Sequence, residues 1–288
     1  MIFWRIVDNR VLPVQEVDTL GFEESEGMRI PDEYLQEQEF VIMRACHGIG
    51  DYGIISAMPR LLKQKYPKCG VFLPSINLYR KLWGRDNKIV ESIYKNNPYV
   101  DGFVDSVKGD IFHDHYRVWN KDKSDIPLVK QMLRFWQFEE DEMEDCLPEI
   151  YWTEEEKTLG NDIIKDVVGD EDYGCLMISD RFGQDDKKFN PKTYEKHHSK
   201  LSKLLKENDY PYFYWSYKPI KELGFDFKKG LDLRNMDLRI QLYIKSKAKV
   251  NVGIQCGTTQ CISRYSKCIS IQRQFPMGGN IIEGEELV

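Results

Sequence analysis

Several features that would assign a chain to a familiar class are missing from this one. No apolar run approaches the roughly 20 residues that a membrane helix needs, and the N-terminal stretch MIFWRIVDNR carries charge where a signal peptide is apolar. Acids and bases are interspersed and the formal net charge is −6. That balance argues against a general nucleic-acid or membrane-surface binder and leaves only a local basic groove open.

Cysteine is present, but without the spacing of a disulfide framework or a redox motif. The seven cysteines are odd in number and never form C-x-x-C. They are typical of small buried side chains in a reducing compartment. We therefore expect a cytoplasmic protein without a membrane span.

Metal-binding patterns are equally sparse. HDH at 113–115 puts two imidazoles on one face of an extended segment, but no cysteine or acid cluster stands at ligand spacing. DED at 170–172 imitates a D-x-D metal motif, yet it precedes a strand, and the active loops of α/β sheets follow their strands. The sequence predicts no metal cofactor.

What the sequence does contain is material for packed cores. Hydrophobic residues make up 41% of the 288 residues, with 14 Phe, 16 Tyr and 6 Trp. This composition argues against wholesale disorder, and the length suits one large domain or two modest ones.

The order of strand-like and helix-like segments predicts an α/β protein with two halves. Residues 1–38 form an N-terminal appendage in which MIFWRIV and RVLPVQEV can pair as a hairpin. Buried strands such as FVIMRAC alternate with amphipathic helices over residues 39–150. A second alternation follows over 151–288, and its first helix has Thr153 as N-cap. We expect two Rossmann-like parallel-sheet domains facing each other across a cleft.

The segment HGIGDYGIIS, residues 47–56, joins the first of these strands to a helix. Gly48, Gly50 and Gly53 spell G-x-G-x-x-G, the fingerprint of a dinucleotide-binding turn. The second strand, however, ends FLPS without the acid that binds a ribose, and Asp51 competes with a pyrophosphate for the positive end of the helix dipole. The fingerprint therefore does not indicate a dinucleotide cofactor. Two roles remain open for Asp51, a helix-capping acid or a general base.

Several segments, in order along residues 39–272, resemble the heptosyltransferase-like glycosyltransferases of family 9. IMRACHGIGDYGIISAMPRLLKQKYPKCGVFLPS is similar to the family's opening, an arginine followed by GIGD and a helix that ends in Y-P. NNPYVDGFVDS resembles its next strand, and PLVKQMLRFWQFEEDEMEDCLPEIYWTEEE its interdomain helix and linker. ISDRFGQDDKKFNPKTYEKHHSKLSKLL and LDLRNMDLRIQLYIKSKAKVNVGIQCGTTQCISRYSKCISI are similar to segments of its C-terminal domain.

This resemblance implies a GT-B fold and a sugar transfer. The family moves a sugar from a nucleotide diphosphate to a glycan-type hydroxyl with inversion and without a metal, so the nucleotide sugar is a co-substrate and no further cofactor is expected. The aspartate of the family's GD pair, its proposed base, corresponds to Asp51. The residues expected on the acceptor side are Arg44, His47, Gly48, Gly50 and His113.

The resemblance places the donor in the C-terminal half, where GIQCGTTQCIS has strand–turn–helix character. Gly257 permits close backbone approach, and the amides of Thr258 and Thr259 open a helix whose positive end attracts phosphate. An ordinary tight turn is the alternative. The family's D-T-G-x-x-H stands here as Gln255, Cys256, Gly257, Thr258, Thr259 and Gln260. Its Asp and His are thus both replaced by glutamine, which can still hydrogen-bond a hydroxyl or phosphate.

Three cations that follow a strand are further candidates for binding the donor substrate. Arg181, Lys187 and Lys188 stand where positive charge can neutralise a leaving diphosphate. The resemblance maps the family's lysine to Lys187, with Lys188 as the other option. Solvated loop charges next to Asp185 and Asp186 are the alternative.

Three rival functions remain. The first is a degenerate GT-B protein that binds a nucleotide or glycan without turnover, which the two glutamines favour and the retained GD turn opposes. The second is a sugar transferase acting on modified DNA, which the acidic total disfavours. The third is a nicotinamide enzyme, which NAD binding would support.

Overall fold

The structure is a computed structural model. It describes residues 6–7, 10–11, 32–44, 48–84, 86, 88–106, 111–113, 127–178, 184–185, 188–189, 191–216, 218–227, 230–271 and 285–288. The chain divides into two units, the first reaching Cys146 and the second beginning at Leu147.

The first unit contains a short hairpin and a parallel sheet with its helices. Its described elements are β1 (Ile6–Val7), β2 (Arg10–Val11), α1 (Asp32–Leu35), β3 (Glu39–Ile42), α2 (Ile49–Gly53), α3 (Met58–Lys65), β4 (Gly70–Pro74), α4 (Ile76–Trp83), α5 (Lys88–Tyr94), β5 (Gly102–Val104), β6 (Ile111–His113), α6 (Leu128–Phe135) and the 3₁₀ helix η1 (Glu140–Met143). Strands β1 and β2 pair antiparallel, which confirms the predicted hairpin at these residues.

The four strands β3 to β6 form one sheet in the order β5-β4-β3-β6, and every pairing in it is parallel. Counted along the chain this is the order 3-2-1-4, the start of a Rossmann sheet. The direction of winding reverses between β3 and β6. Ligands of open α/β sheets bind at the carboxyl ends of the strands beside such a reversal.

The core of the first unit is packed around β3. The ring of Phe40 stacks on Tyr66 and on Trp136, with centroid distances of 5.7 and 4.3 Å. Burying an aromatic or branched side chain of this size stabilises the fold by about 1.5–3 kcal/mol. The sequence predicts a single helix after the glycine turn, whereas α2 ends at Gly53 and α3 begins at Met58. Pro59 explains the break, because proline has no amide hydrogen with which to continue the ladder.

The second unit has its own sheet. Its described elements are α7 (Glu154–Val168), β7 (Gly174–Ile178), β8 (Gln184–Asp185), β9 (Lys188–Phe189), α8 (Pro191–Glu207), β10 (Tyr212–Ser216), the 3₁₀ helix η2 (Ile220–Leu223), α9 (Leu238–Lys247), β11 (Val250–Ile254), α10 (Gly257–Gln260), β12 (Lys267–Ile271) and β13 (Glu285–Leu287). The predicted N-cap is confirmed: Thr153 Oγ1 accepts the Glu156 amide at 3.1 Å, and Glu156 Oε2 accepts the Thr153 amide at 2.9 Å.

The second sheet has the order β10-β7-β11-β12-β13 and is also parallel throughout. Counted along the chain from β7, with the β8–β9 hairpin left out, this is the doubly wound order 2-1-3-4-5, and the winding reverses between β7 and β11. One face packs Leu176 and Ile178 against Leu201 of α8. The other face packs Cys175 against Ile240 and Ile244 of α9. Parallel sheets require such burial on both faces.

The predicted α/β class with two parallel sheets is confirmed. The predicted domain limits at residues 38 and 150 stay predictions. Among the described helices, none is long and apolar enough to cross a membrane.

Candidate active site

At the carboxyl edge of the first sheet, Asp51 is the third residue of α2 and follows β3 in the chain. Its Oδ2 accepts a hydrogen bond from the Gly48 amide at 2.7 Å, and its Oδ1 lies 3.4 Å from Nη2 of Arg44. The Asp51 side chain is nevertheless 32% exposed. A carboxylate has about four acceptor positions, so the capping contact and a second contact with a substrate hydroxyl are compatible.

Gly48 is a glycine for a steric reason. A Cβ on this residue would lie 2.8 Å from Asp51 Oδ2, closer than real Cβ atoms come to other atoms. The backbone of Gly48, with φ −78° and ψ 159°, is open to any residue. The glycine is therefore needed for the approach of the carboxylate and not for its own conformation.

Two tyrosines hydrogen-bond the backbone of Arg44, and a third hydrogen-bonds the backbone of one of them. Its guanidinium is buried, with 1% exposure. The Arg44 amide donates to the hydroxyl of Tyr52 at 3.1 Å, and the hydroxyl of Tyr79 donates to the Arg44 carbonyl at 2.7 Å. The hydroxyl of Tyr94 donates to the Tyr52 carbonyl at 3.1 Å. These contacts fix the end of β3 and the helix that carries Asp51 relative to each other.

The hydroxyl of Tyr52 keeps its proton. Burial is the largest cause that raises the pKa of Tyr52 well above its ordinary value, with the neighbouring Tyr79 adding to the effect. The rings of Tyr79 and Tyr94 meet that of Tyr52 edge to face at centroid distances of 6.4 and 6.3 Å. No sequence pattern marks this cluster, because its members stand on three different helices and carry no common motif.

The other predicted acceptor-side residues are less fully defined. Gly50 lies in α2, where its carbonyl accepts the Ile54 amide at 3.1 Å. His113 ends β6 beside Ile42 in the sheet register, and its side chain is not described. His47 lies outside the described residues. The structure thus brings Arg44, Gly48 and Asp51 together.

At the carboxyl edge of the second sheet, the two segments predicted to bind the donor follow neighbouring strands. Residues 181–188 come after β7 and residues 255–260 come directly after β11, and these strands pair, with Gly253 opposite Met177. The winding of the sheet reverses between them, which is where ligands bind in such sheets. A Cβ on Gly253 would lie 2.2 Å from the Met177 carbonyl oxygen, so the close pairing needs glycine.

The turn at 255–260 leaves two amides open. Cys256 has an extended backbone and precedes α10. The amides of Thr259 and Gln260 both donate to the Cys256 carbonyl, at 3.2 and 3.1 Å. Within the described residues, the amides of Gly257 and Thr258 have no protein acceptor. Of the predicted amides at 257–259, that of Thr259 is therefore engaged by Cys256, and anion binding by those of Gly257 and Thr258 stays a prediction.

Side chains of this turn are mostly buried. Cys256, Thr258, Thr259 and Gln260 are buried and Gln255 is half-buried. Cys256 Sγ lies 3.5 Å from Thr258 Oγ1 and 3.4 Å from Thr259 Oγ1. Lys245 of α9 donates from Nζ to Thr258 Oγ1 at 2.8 Å, a contact with no signal in the sequence pattern.

The predicted donor cations are not defined in atomic detail. Arg181 and Lys187 lie outside the described residues. Lys188 begins β9, which pairs with β8 through Asp185, and its side chain is not described. Their contribution to donor binding stays a prediction.

The described ranges contain no group of three or more His, Cys, Asp or Glu side chains that could hold a metal ion. The six cysteines within them are free and buried.

Comparisons with known proteins find likeness in structure and not in sequence. No protein-family model matches the chain, and no curated protein matches it. The E. coli ADP-heptose LPS heptosyltransferase II superposes with a TM-score of 0.52 at 10% identity, over 86% of this chain and 90% of that one. A family 9 glycosyl transferase from Veillonella parvula superposes with a TM-score of 0.57 at 9% identity, over 87% and 85%.

A third solved structure is the iron-containing dodecameric glycosyltransferase TibC from enterotoxigenic E. coli H10407. Its TM-score is 0.50 at 10% identity, over 86% of this chain and 62% of that chain. Likeness at these identities concerns the fold. The chain therefore has the fold of the heptosyltransferases and family 9 glycosyltransferases, as the resemblance of its segments predicted.

Proposed function

We propose that this chain is an inverting, metal-independent glycosyltransferase that moves a sugar from a nucleoside-diphosphate donor to a hydroxyl of a glycan-type acceptor. We further propose that it works in the cytoplasm, where its free, buried cysteines stay reduced. The fold supports the reaction class, since the solved structures it resembles include glycosyltransferases.

The observation that carries the proposal is the geometry of Asp51. Its carboxylate is oriented by the Gly48 amide and by Arg44, at a strand end beside the point where the sheet reverses its winding. The side chain stays partly exposed. An oriented, accessible carboxylate at this place is what a general base requires.

In the proposed step, Asp51 accepts the proton of the acceptor hydroxyl while that oxygen bonds to the anomeric carbon of the donor sugar. The bond from this carbon to the diphosphate oxygen breaks, and its electron pair leaves with the nucleoside diphosphate. Attack from the face opposite the leaving group inverts the anomeric configuration. Arg44 holds the carboxylate in place during the transfer.

The departing diphosphate is the second requirement. The open amides of Gly257 and Thr258 are suited to its oxygens, and amides aimed at developing charge are a large source of stabilisation in such reactions. Arg181 with Lys187 or Lys188 would add positive charge after the neighbouring strand. This division gives the acceptor to the first sheet and the donor to the second.

The test is a panel of nucleoside-diphosphate sugars, ADP-heptose among them, incubated with simple glycan acceptors. We expect release of the nucleoside diphosphate from one donor, unchanged by EDTA, and a product of inverted anomeric configuration by NMR. One structural neighbour is named as iron-containing, so the measurement with EDTA is needed to decide whether the transfer depends on a metal. A retained configuration, or activity lost to EDTA and restored by a metal, would contradict the proposed mechanism.

A second candidate is a nucleotide- or glycan-binding protein without turnover. Gln255 and Gln260 favour it, because they stand where the resembling family has an acid and a histidine. It predicts that a nucleoside diphosphate binds while no donor is ever consumed. Calorimetric binding together with a transfer assay separates the two candidates.

A further inference from the structure

Lys245 is a buried cation to which the proposed mechanism assigns no role. It lies in α9 with 1% exposure, and its Nζ donates to Thr258 Oγ1 at 2.8 Å. No carboxylate within the described part of the chain pairs with it. An ammonium removed from water without a counter-charge is among the most costly groups to bury.

Among the residues that the structure describes, the other groups that face Lys245 do not balance its charge. The Cys175 thiol of β7 is close enough for Lys245 to oppose the effect of burial, yet burial still raises the pKa of Cys175 to about 12. That thiol is therefore neutral at physiological pH. The Asn251 side-chain amide donates to the Lys245 carbonyl at 2.9 Å, so it contacts the backbone and not the ammonium.

The contact with Thr258 constrains the direction of its hydroxyl. Nζ occupies one acceptor position on Thr258 Oγ1, so the hydroxyl hydrogen must point elsewhere. Its described alternative is Cys256 Sγ at 3.5 Å, and sulfur is a weak acceptor. Thr258 thus has a polarised O–H donor in addition to its open amide, and both groups favour an oxygen anion as their acceptor.

We propose that Lys245 is a positioning residue for a diphosphate, acting through Thr258. The side chains from Gln255 to Gln260 are all uncharged, so Lys245 supplies the positive charge of this turn from beneath it. An anion held by Thr258 would provide the counter-charge that the described core lacks. The inference rests on the donor site of the proposed function and adds the residue that favours an anion there.

A purely structural role makes the opposite prediction for stability. If Lys245 only ties α9 to α10, replacing it weakens the fold and leaves anion binding intact. If its charge is kept for an anion, replacement by an apolar side chain of similar length removes a cost of burial and weakens binding. Stability and affinity therefore change in opposite directions under our proposal.

The experiment compares Lys245→Met with Lys247→Met, whose lysine is exposed two residues along the same helix. Inorganic pyrophosphate is titrated into each variant by calorimetry, and melting temperatures are measured with and without it. We expect Lys245→Met to melt at or above the wild-type temperature and to bind pyrophosphate about 10-fold more weakly. Lys247→Met should bind like the wild type.

A lower melting temperature with unchanged pyrophosphate affinity would overturn the inference, as would a wild-type protein that does not bind pyrophosphate. Thr258→Val and Thr258→Ser test separately whether Lys245 acts through the hydroxyl of Thr258. Valine should lower both the affinity and the melting temperature, because it leaves the ammonium without an acceptor, and serine should restore both. Equal pyrophosphate affinities in these two variants would contradict a role for the Thr258 hydroxyl.

The transfer assay keeps this outcome apart from the proposed function. Sugar transfer by the wild type, with normal pyrophosphate binding by Lys245→Met, contradicts only the role of Lys245. Pyrophosphate binding that depends on Lys245, in a protein that transfers no sugar from any donor, contradicts only the proposed function.

Discussion

The carboxyl edges of the two sheets differ in how their buried charges are balanced. At the first, the buried guanidinium of Arg44 pairs with the carboxylate of Asp51. At the second, the buried ammonium of Lys245 meets the neutral hydroxyl of Thr258. The first edge has both charges in place without a ligand, whereas at the second no carboxylate of the described residues meets the ammonium. This difference is the basis on which we propose a base at one edge and a diphosphate site at the other.

The largest expected effect is the loss of the base. Asp51→Asn should lower kcat by about 10²- to 10⁴-fold, because a positioned base contributes that much. The asparagine oxygen can still accept the Gly48 amide, so the melting temperature should change little. Asp105→Asn is the matched control, since this exposed acid follows β5 at the same edge and accepts the Ser75 hydroxyl. An equal loss of kcat in both variants would contradict the assignment of Asp51 as the base.

Gly253→Ala tests the second edge through its strand pairing. The added Cβ would meet the Met177 carbonyl at 2.2 Å, and because backbone on both sides must move, we expect about 3 kcal/mol of lost stability in urea unfolding. Gly102→Ala in β5 is the control, since its Cβ would lie 3.8 Å from the Phe72 ring. A native-like Gly253→Ala protein would contradict the close pairing of β7 and β11.

Gly48→Ala displaces the carboxylate while leaving it in the chain. The methyl group would lie 2.8 Å from Asp51 Oδ2, so the side chain of Asp51 must turn away. Misplacing a reacting group by about 1 Å costs on the order of 10- to 100-fold in rate. We expect that loss in kcat with an unchanged melting temperature, and an unaltered kcat would show that the Gly48 contact does not orient the base.

Tyr79→Phe should have the smallest effect. It removes the hydroxyl that donates to the Arg44 carbonyl, for a loss of about 1 kcal/mol in unfolding free energy and a several-fold drop in kcat. Tyr66→Phe is the control, because this buried hydroxyl donates to the Trp136 carbonyl at 2.8 Å. It should cost similar stability and leave kcat unchanged. If the two variants have the same kcat, the tyrosine cluster only packs the core.

Local patterns predicted much of the fold. The apolar runs that form β4 and β7 are continuous because both faces of a parallel sheet are covered. Thr153 was identified as an N-cap because its capping contacts lie within four residues of sequence. The hairpin of β1 and β2 is equally local.

Contacts between distant segments were beyond such patterns. The tyrosines around Arg44 come from α2, α4 and α5, and Lys245 meets Thr258 across 13 residues of sequence. The break before α3 was missed because helical spacing continues through it, although Pro59 marks the new start. The open amides at 257 and 258 depend on the extended backbone of Cys256, which no residue type dictates.

The most direct test of the division between the two edges is calorimetric titration of nucleoside diphosphates into the wild type, Asp51→Asn and Thr258→Val, with the transfer rate of each. We predict that Asp51→Asn binds the nucleotide as tightly as the wild type and loses transfer, and that Thr258→Val binds it more weakly. If Asp51→Asn loses nucleotide affinity as Thr258→Val does, or transfers sugar at the wild-type rate, Asp51 is not the base and the account is contradicted.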